Sequence, residues 1–341
     1  MNGNAGRMTN VKLSGPKKSL RKAPLVSLKV WLEAAKSPRQ PGLCRSALLR
    51  TWDHPRFRPV WLRYMRQASD RESACSHTLV DPMEHQYNTG LCKGQGMLPE
   101  TLRLLQVWEP GMQSQQLGRR VRREGVIPKA TAQRVSDIVN RVFIPRYLGP
   151  DGQPAGWLRQ LVQMGAGVEK LNQLFLVYTA REHLILYDFI RQVYWPRYSA
   201  GAQFLFREDS VNFIKSAQAT GRIKTRWTEG NNIRIGRYLL SALFDFKMIG
   251  EPKGDRRRIL PFSASASTVL FLAHELHFSG VGDAGIISHP DWELYGLSPS
   301  DVLNELRRLA TQGGFIIQAG DIVRISWSCK TMEECLDVVA Q

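Results

Sequence analysis

From Leu98 onward, apolar residues recur three or four positions apart, and each such run ends at a glycine or a proline. Leu98, Leu102, Leu105 and Trp108 mark a first helix, stopped by Glu109-Pro110-Gly111. Leu117 and Val121 mark a second over 113–123. Val135, Ile138, Val139 and Val142 mark a third from Thr131 to Phe143, with Pro145 ending it. After the loop Gly149-Pro150-Asp151-Gly152, the residues Trp157, Leu158, Leu161 and Val162, and then the apolar run over 171–190, predict further core-rich helices. Trp195-Pro196-Arg197 closes this block.

The pattern changes near Ser210. A helix over 210–219 ends at Gly221, and a stronger one over 228–248 carries Ile233, Ile235, Leu239, Leu240, Leu243 and Phe244. Ile249-Gly250 terminates it, Glu251-Pro252-Lys253-Gly254-Asp255 reads as a turn, and 256–260 reads as a strand. Helix, glycine stop, short strand, basic turn, strand is the order of a winged helix-turn-helix. The order recurs with a helix over 300–311, stopped at Gly313-Gly314, and a hairpin pairing 315–317 with 322–327 across Ala319-Gly320-Asp321. The expected fold is mainly α: a multi-helical domain over 83–205, then a winged-helix-like region with small β-hairpins over 206–341.

Residues 1–82 break the periodicity. They hold 16 Lys+Arg and 5 Asp+Glu among scattered prolines, and predict a basic, largely disordered extension. Trp52, Phe57, Trp61 and Tyr64 support at most one short helix there. Met83 reads as a natural start, so the extension is either an overcalled start or a basic arm adding non-specific affinity for nucleic acid.

Charge sharpens the picture. The 341 residues carry a formal +17, which points to a polyanionic partner. Two stretches concentrate it in the body: 119–147, with 8 basic and 2 acidic side chains, and 222–258, with 10 and 4. In a winged helix the second helix enters the major groove and the wing lies on the phosphates. Arg234 and Arg237 then face the duplex, Lys253, Arg256, Arg257 and Arg258 form the wing, and Arg222, Lys224 and Arg226 add contacts ahead of the helix. Arg119, Arg120, Arg122, Arg123, Lys129 and Arg134 form a second basic face, for which a solvated helix surface is the alternative. A winged helix used for protein contact, or a helical RNA binder, is the rival to duplex DNA.

Catalytic signals are missing. His274-Glu275-Leu276-His277 lacks the HExxH spacing and lies on an apolar helix, so surface or core-edge histidines are expected. Gly90-Leu91-Cys92-Lys93-Gly94-Gln95-Gly96 lacks the phosphate-loop pattern and follows no strand. Glu182, Asp188, Glu208 and Asp209 sit beside Arg181, Arg191 and Arg207 and read as ion-pairing or capping groups. Cys44, Cys75, Cys92, Cys329 and Cys335 show no zinc spacing and read as free thiols in a reducing cytoplasm. No apolar run reaches the roughly 18–20 residues of a spanning helix, and no secretory leader is visible. A cytoplasmic protein without enzymatic activity, metal, cofactor or membrane partner is expected.

Several local patterns resemble the BrxA family of BREX bacteriophage-defence systems. They are Tyr87-Asn88-Thr89-Gly90-Leu91, Lys93-Gly94, Leu98-Pro99-Glu100-Thr101, Lys129-Ala130-Thr131-Ala132, Leu186-Tyr187-Asp188-Phe189 and Trp227-Thr228-Glu229. Trp292-Glu293-Leu294-Tyr295-Gly296-Leu297, Asp301-Val302 and Gly320 complete them, over about 83–330. The resemblance implies a small helical DNA-binding protein containing a winged helix and lacking known enzymatic activity. It would act beside a methyltransferase and other BREX components. The family pattern does not require residues 1–82.

Overall fold

In the computed structural model, α1 (Leu98–Val107), α2 (Ser114–Arg123) and α3 (Ala132–Ile138) follow the expected periodicity. Thr131 caps α3, its hydroxyl accepting the Arg134 N–H at 3.1 Å. The structure describes residues 86–149, 152–310, 314–319 and 323–340. The extension 1–82, Met83, Cys44, Cys75, Pro150, Asp151, Gly313, Gly320 and Asp321 lie outside the described residues.

Pro145 does not end the third helix as expected. A π turn, Val139–Phe143, leads without a break into α4 (Ile144–Tyr147), where Pro145 occupies the first turn. The wider bonding of the π turn accommodates the N–H that proline lacks. The same device recurs after α5 (Gln153–Gln163), α6 (Val168–Glu182) and α7 (Leu184–Phe189). The π turn Ile190–Tyr194 runs into α8 (Trp195–Ser199), with Pro196 in its first turn. Helix α6 is apolar around most of its circumference, and Leu171, Leu174, Phe175, Leu176, Val177, Tyr178 and Ala180 are all buried, which makes it a central helix of the block.

A three-stranded antiparallel sheet follows. β1 (Phe204–Phe206) pairs with β3 (Arg256–Ile259), which pairs with β2 (Ile249–Lys253), giving the order β1-β3-β2. Between β1 and β2 run α9 (Arg207–Ala219) and α10 (Glu229–Asp245). Three residues are too few to show alternation, so β1 is invisible in the sequence pattern. The expected turn at 251–255 starts late, because β2 continues to Lys253 past an irregularity between Ile249 and Pro252. β2 is an edge strand of this sheet, so Pro252 costs no ladder bond. The turn is Gly254-Asp255, with Gly254 at φ +67°.

The remaining elements are α11 (Ala266–Phe278), α12 (Asp283–Ile287), a 3₁₀ turn (Pro290–Tyr295), α13 (Pro299–Leu309), β4 (Phe315–Ala319), β5 (Val323–Trp327) and α14 (Met332–Ala340). β4 and β5 pair from Phe315↔Trp327 to Ala319↔Val323, close to the expected hairpin. Helix α14 packs on α11. A buried ion network joins this part to α6: Arg181 meets Glu275 through two bonds of 2.7 and 3.0 Å and Asp291 at 2.7 Å, and the Tyr178 hydroxyl donates to Glu275 at 2.9 Å.

The chain is mainly α, with two small antiparallel sheets among the described residues. All described residues belong to one compact unit. No helix among the described residues is long and apolar enough to cross a membrane.

Candidate nucleic-acid interface

Thr228 starts α10 as its N-cap, accepting the Asn231 N–H at 3.4 Å, and Glu229 places an acid in the first turn where the helix dipole favours it. Asn232, Ile235, Gly236, Leu239, Leu240 and Leu243 form the buried stripe. Gly236 lets α9 approach closely, since a Cβ there would lie 2.6 Å from the Ser210 hydroxyl. The opposite stripe exposes Gly230, Arg234 and Arg237. Arg234 and Arg237 are three positions apart, so both guanidinium groups project from one side of the helix. Arg234 donates to the neutral Asn231 side chain at 2.7 Å.

Hairpin β2–β3 packs on the C-terminal part of α10. The pleat splits its three consecutive arginines. Arg257 pairs in register with buried Leu205 and sits half-buried with its guanidinium 5.5 Å over the Phe244 ring of α10. Burial pulls its pKa below the ordinary arginine value. Arg256 and Arg258 stand on the other face of the sheet, exposed, with Arg256 4.5 Å over Phe204. The three residues expected to act as one wing therefore point two ways. Lys253 is exposed at the hairpin tip, and Lys224 and Arg226 are exposed in the turn before α10. Among the described ion pairs none includes Lys224, Arg226, Arg234, Arg237, Lys253, Arg256 or Arg258.

Arg222 is placed differently from the rest of its expected group. Its guanidinium bonds the Asp188 carboxylate, donates to the Tyr87 hydroxyl at 3.0 Å and lies 5.6 Å over the Tyr87 ring. Tyr87 itself donates to Asp188 at 2.7 Å, and burial followed by the Asp188 charge pushes its phenol pKa up. This latch holds the segment at Tyr87 against α7 and the residues after α9, so its arginine is already committed within the protein. Asp188 as an ion-pairing acid agrees with expectation. Asp209 does the same work, pairing with Arg197 and capping α9 through the Phe206 N–H at 2.8 Å. Glu182 does not: one of its oxygens is buried without a partner, and burial raises its pKa to about 7.

The glycine-rich segment packs against α10, with Gly96 at its last residue, Asp245. Gly96 donates its N–H to Asp245 at 2.8 Å, and a Cβ on Gly96 would lie 2.4 Å from the Asp245 Cβ. A Cβ on Gly94 would lie 2.8 Å from Val142. These glycines serve close approach of chain to helix. Beneath them the buried Arg146 donates to the carbonyls of Gly94, Gln95 (2.9 Å) and Gly96 (3.4 Å) and lies 3.2 Å from His183 Nε2. Burial, then the Arg146 charge, depresses the His183 pKa to about 3, so the ring is neutral and its Nε2 accepts. Sequence reasoning missed Arg146, because an arginine counted as surface charge looks the same as one folded inward.

The second basic face is partly neutralised. Arg120 pairs with Glu109 at 2.7 Å and Glu124 at 3.3 Å, and Arg123 with Glu124 at 3.0 Å. Arg134 donates to the Lys93 carbonyl at 2.9 Å. Arg119, Arg122 and Lys129 are exposed, with no ion pair described for them. The arginines closing α2 also face the negative end of its helix dipole.

The arrangement therefore presents an arginine-bearing helix bordered by a hairpin and a tightly seated glycine strap. No curated protein matches the chain. The BrxA family model matches residues 85–275, a span that contains the strap, the latch, α10 and hairpin β2–β3. With more than half of its length inside that match, the chain belongs to the BrxA family.

Proposed function

We propose that this BrxA-family chain is a non-enzymatic duplex-DNA-binding component of a BREX bacteriophage-defence system, acting in the cytoplasm beside the methyltransferase and other BREX proteins. Family membership supplies the defence role. The binding reading rests on one observation: α10 exposes Arg234 and Arg237 on a single stripe, neither in a described ion pair, next to a hairpin. The element order β1-α9-α10-β2-β3 with sheet order β1-β3-β2 supports reading this part as a winged helix, whose second helix would lie in the major groove. Lys224, Arg226 and Lys253 then flank the helix at the phosphates. Arg222, Arg120 and Arg134, each already bonded to another group of the protein, are left out of the proposed contact set.

The test is fluorescence anisotropy with a random-sequence duplex between about 50 and 300 mM salt. Five neutralised phosphates predict a slope of log affinity against log salt near about −4.5. In Arg234→Glu/Arg237→Glu the slope should fall to about −2.7, with affinity at about 0.1 M salt lower on the order of 100-fold. A folded double variant with unchanged slope and affinity would remove α10 from the account. Stronger competition by structured RNA than by duplex DNA would replace DNA as the ligand.

A further inference from the structure

The C-terminal elements bring together three side chains that lie 55 and 6 positions apart in the sequence: His274 on α11, Cys329 after β5 and Cys335 in the first turn of α14. Their donor atoms all lie within 4.8 Å of one another. A tetrahedral zinc ion bound by thiolates at about 2.3 Å and imidazole at about 2.0 Å holds its donors roughly 3.5–3.9 Å apart, so small side-chain rotations close the set. Among the described residues no fourth His, Cys, Asp or Glu joins them.

The histidine is prepared for such a role. Its Nδ1 lies 2.8 Å from the Leu270 carbonyl oxygen, which can only accept, so Nδ1 carries the hydrogen. The lone pair is then on Nε2, which is buried and has no hydrogen-bond partner. A metal-bound histidine characteristically donates its other ring N–H to a carbonyl or carboxylate, which fixes the tautomer. The ring is held in place by Trp327 at 4.9 Å and Phe315 at 5.7 Å between centroids. Cys335 is fully buried and Cys329 half-buried, and Gly314 leaves Cys329 room, since a Cβ there would lie 3.2 Å from its sulfur.

We propose that His274, Cys329 and Cys335 bind one zinc(II) ion, with water in the fourth position, which fastens hairpin β4–β5 and α14 to α11. Each thiol releases its proton to solvent as its sulfur binds. Two thiolates neutralise zinc(II), whereas with copper(I) the same donors leave a net negative charge in a largely buried pocket, which favours zinc. His274 lies 55 positions before the first of the cysteines, so no ligand motif in the sequence announces the set, and both cysteines lie beyond the span matched by the family model.

The full chain, purified under reducing conditions without chelator from zinc-supplemented cells, should carry about one zinc per chain by elemental analysis. Cys329→Ser and His274→Gln should each lower this to below about a tenth while circular dichroism stays native, and Cys92→Ser should leave it unchanged. A strong chelator should lower the melting temperature of the parent chain and leave that of Cys329→Ser unmoved. Cobalt(II) added to the chelated chain should give a thiolate charge-transfer band, absent in Cys329→Ser. Zinc content that is negligible, or that persists in the variants, overturns the proposal. So does preferential retention of copper, or a Cys329–Cys335 disulfide found by peptide mapping after alkylation under native conditions.

Discussion

Replacing Arg222 by glutamine separates an arginine that holds the fold together from one that meets phosphate. The wild-type guanidinium makes a charge-assisted bond to Asp188, a second bond to the Tyr87 hydroxyl at 3.0 Å and a cation–π contact at 5.6 Å. A charge-assisted bond contributes about 1.5–3 kcal/mol and a cation–π contact at an exposed site about 0.5–1 kcal/mol. The Arg222 side chain keeps 40% of its accessible surface, so water screens the pair and the lower end applies. Asp188 retains the Tyr87 hydroxyl at 2.7 Å and Arg191 at 3.5 Å, so it is not left bare in the variant. The net loss comes to about 2 kcal/mol, which for a unit of this size lowers the melting temperature by roughly 4–8 °C. Because Asp188 already neutralises this charge, the salt slope of DNA binding should stay unchanged. Calorimetry and an anisotropy salt series on the same preparation read both quantities. A slope shallower by about 0.9 with an unmoved melting temperature would refute the latch and return Arg222 to the phosphates.

Gly96→Ala should destabilise the chain by about 2–3 kcal/mol in denaturant titrations, because the new Cβ meets a Cβ fixed on α10 and the strap must retreat from its bonds to Asp245 and Arg146. Glu182→Gln should stabilise it in a pH-dependent way. The folded pKa of about 7 lies above the ordinary 4.5, so this group's contribution is fully present below pH 4.5 and lost as pH rises through 7. Thermal melts should then show the variant ahead of the parent at alkaline pH, by at most about 3 kcal/mol, and level with it in acid. A constant offset at every pH would exclude the buried carboxylate as its origin. Arg181→Met should cost about 3–5 kcal/mol, since Glu275 and Asp291 both lose their shared cation in the interior; urea unfolding measures it.

The helices were legible wherever periodicity ran long enough. Helix α10 starts at the capped Thr228 and stops within three residues of its expected end. What escaped was decided by partners distant in sequence. β1 is ordered by pairing with β3, some fifty residues later, and no local alternation could mark it. Pro145 looked like a stop because a single sequence does not show the π turn that absorbs it. The basic residues were legible as charge and illegible as direction. Arg222, Arg257 and Arg258 look equivalent in a string, yet one is latched to Asp188, one leans on Phe244 and one faces outward. The histidine–cysteine cluster was missed for the same reason, since His274 lies 55 positions before the first of the cysteines on another element, and Cys329 and Cys335 alone have no zinc-ligand spacing.

The π turn at Val139–Phe143 governs where the rest of its helix aims. One surplus residue in a helix swings everything beyond it by about 100° around the axis. Arg146 lies immediately past that turn, and its orientation towards the carbonyls of Gly94, Gln95 and Gly96 is inherited from the swing. Deleting a single residue between 139 and 143 would regularise the coil and turn the guanidinium away from the backbone it anchors. The length of this stretch is thus as constrained as the identity of its side chains, and a shortened version would be seated wrongly even with each amino acid retained.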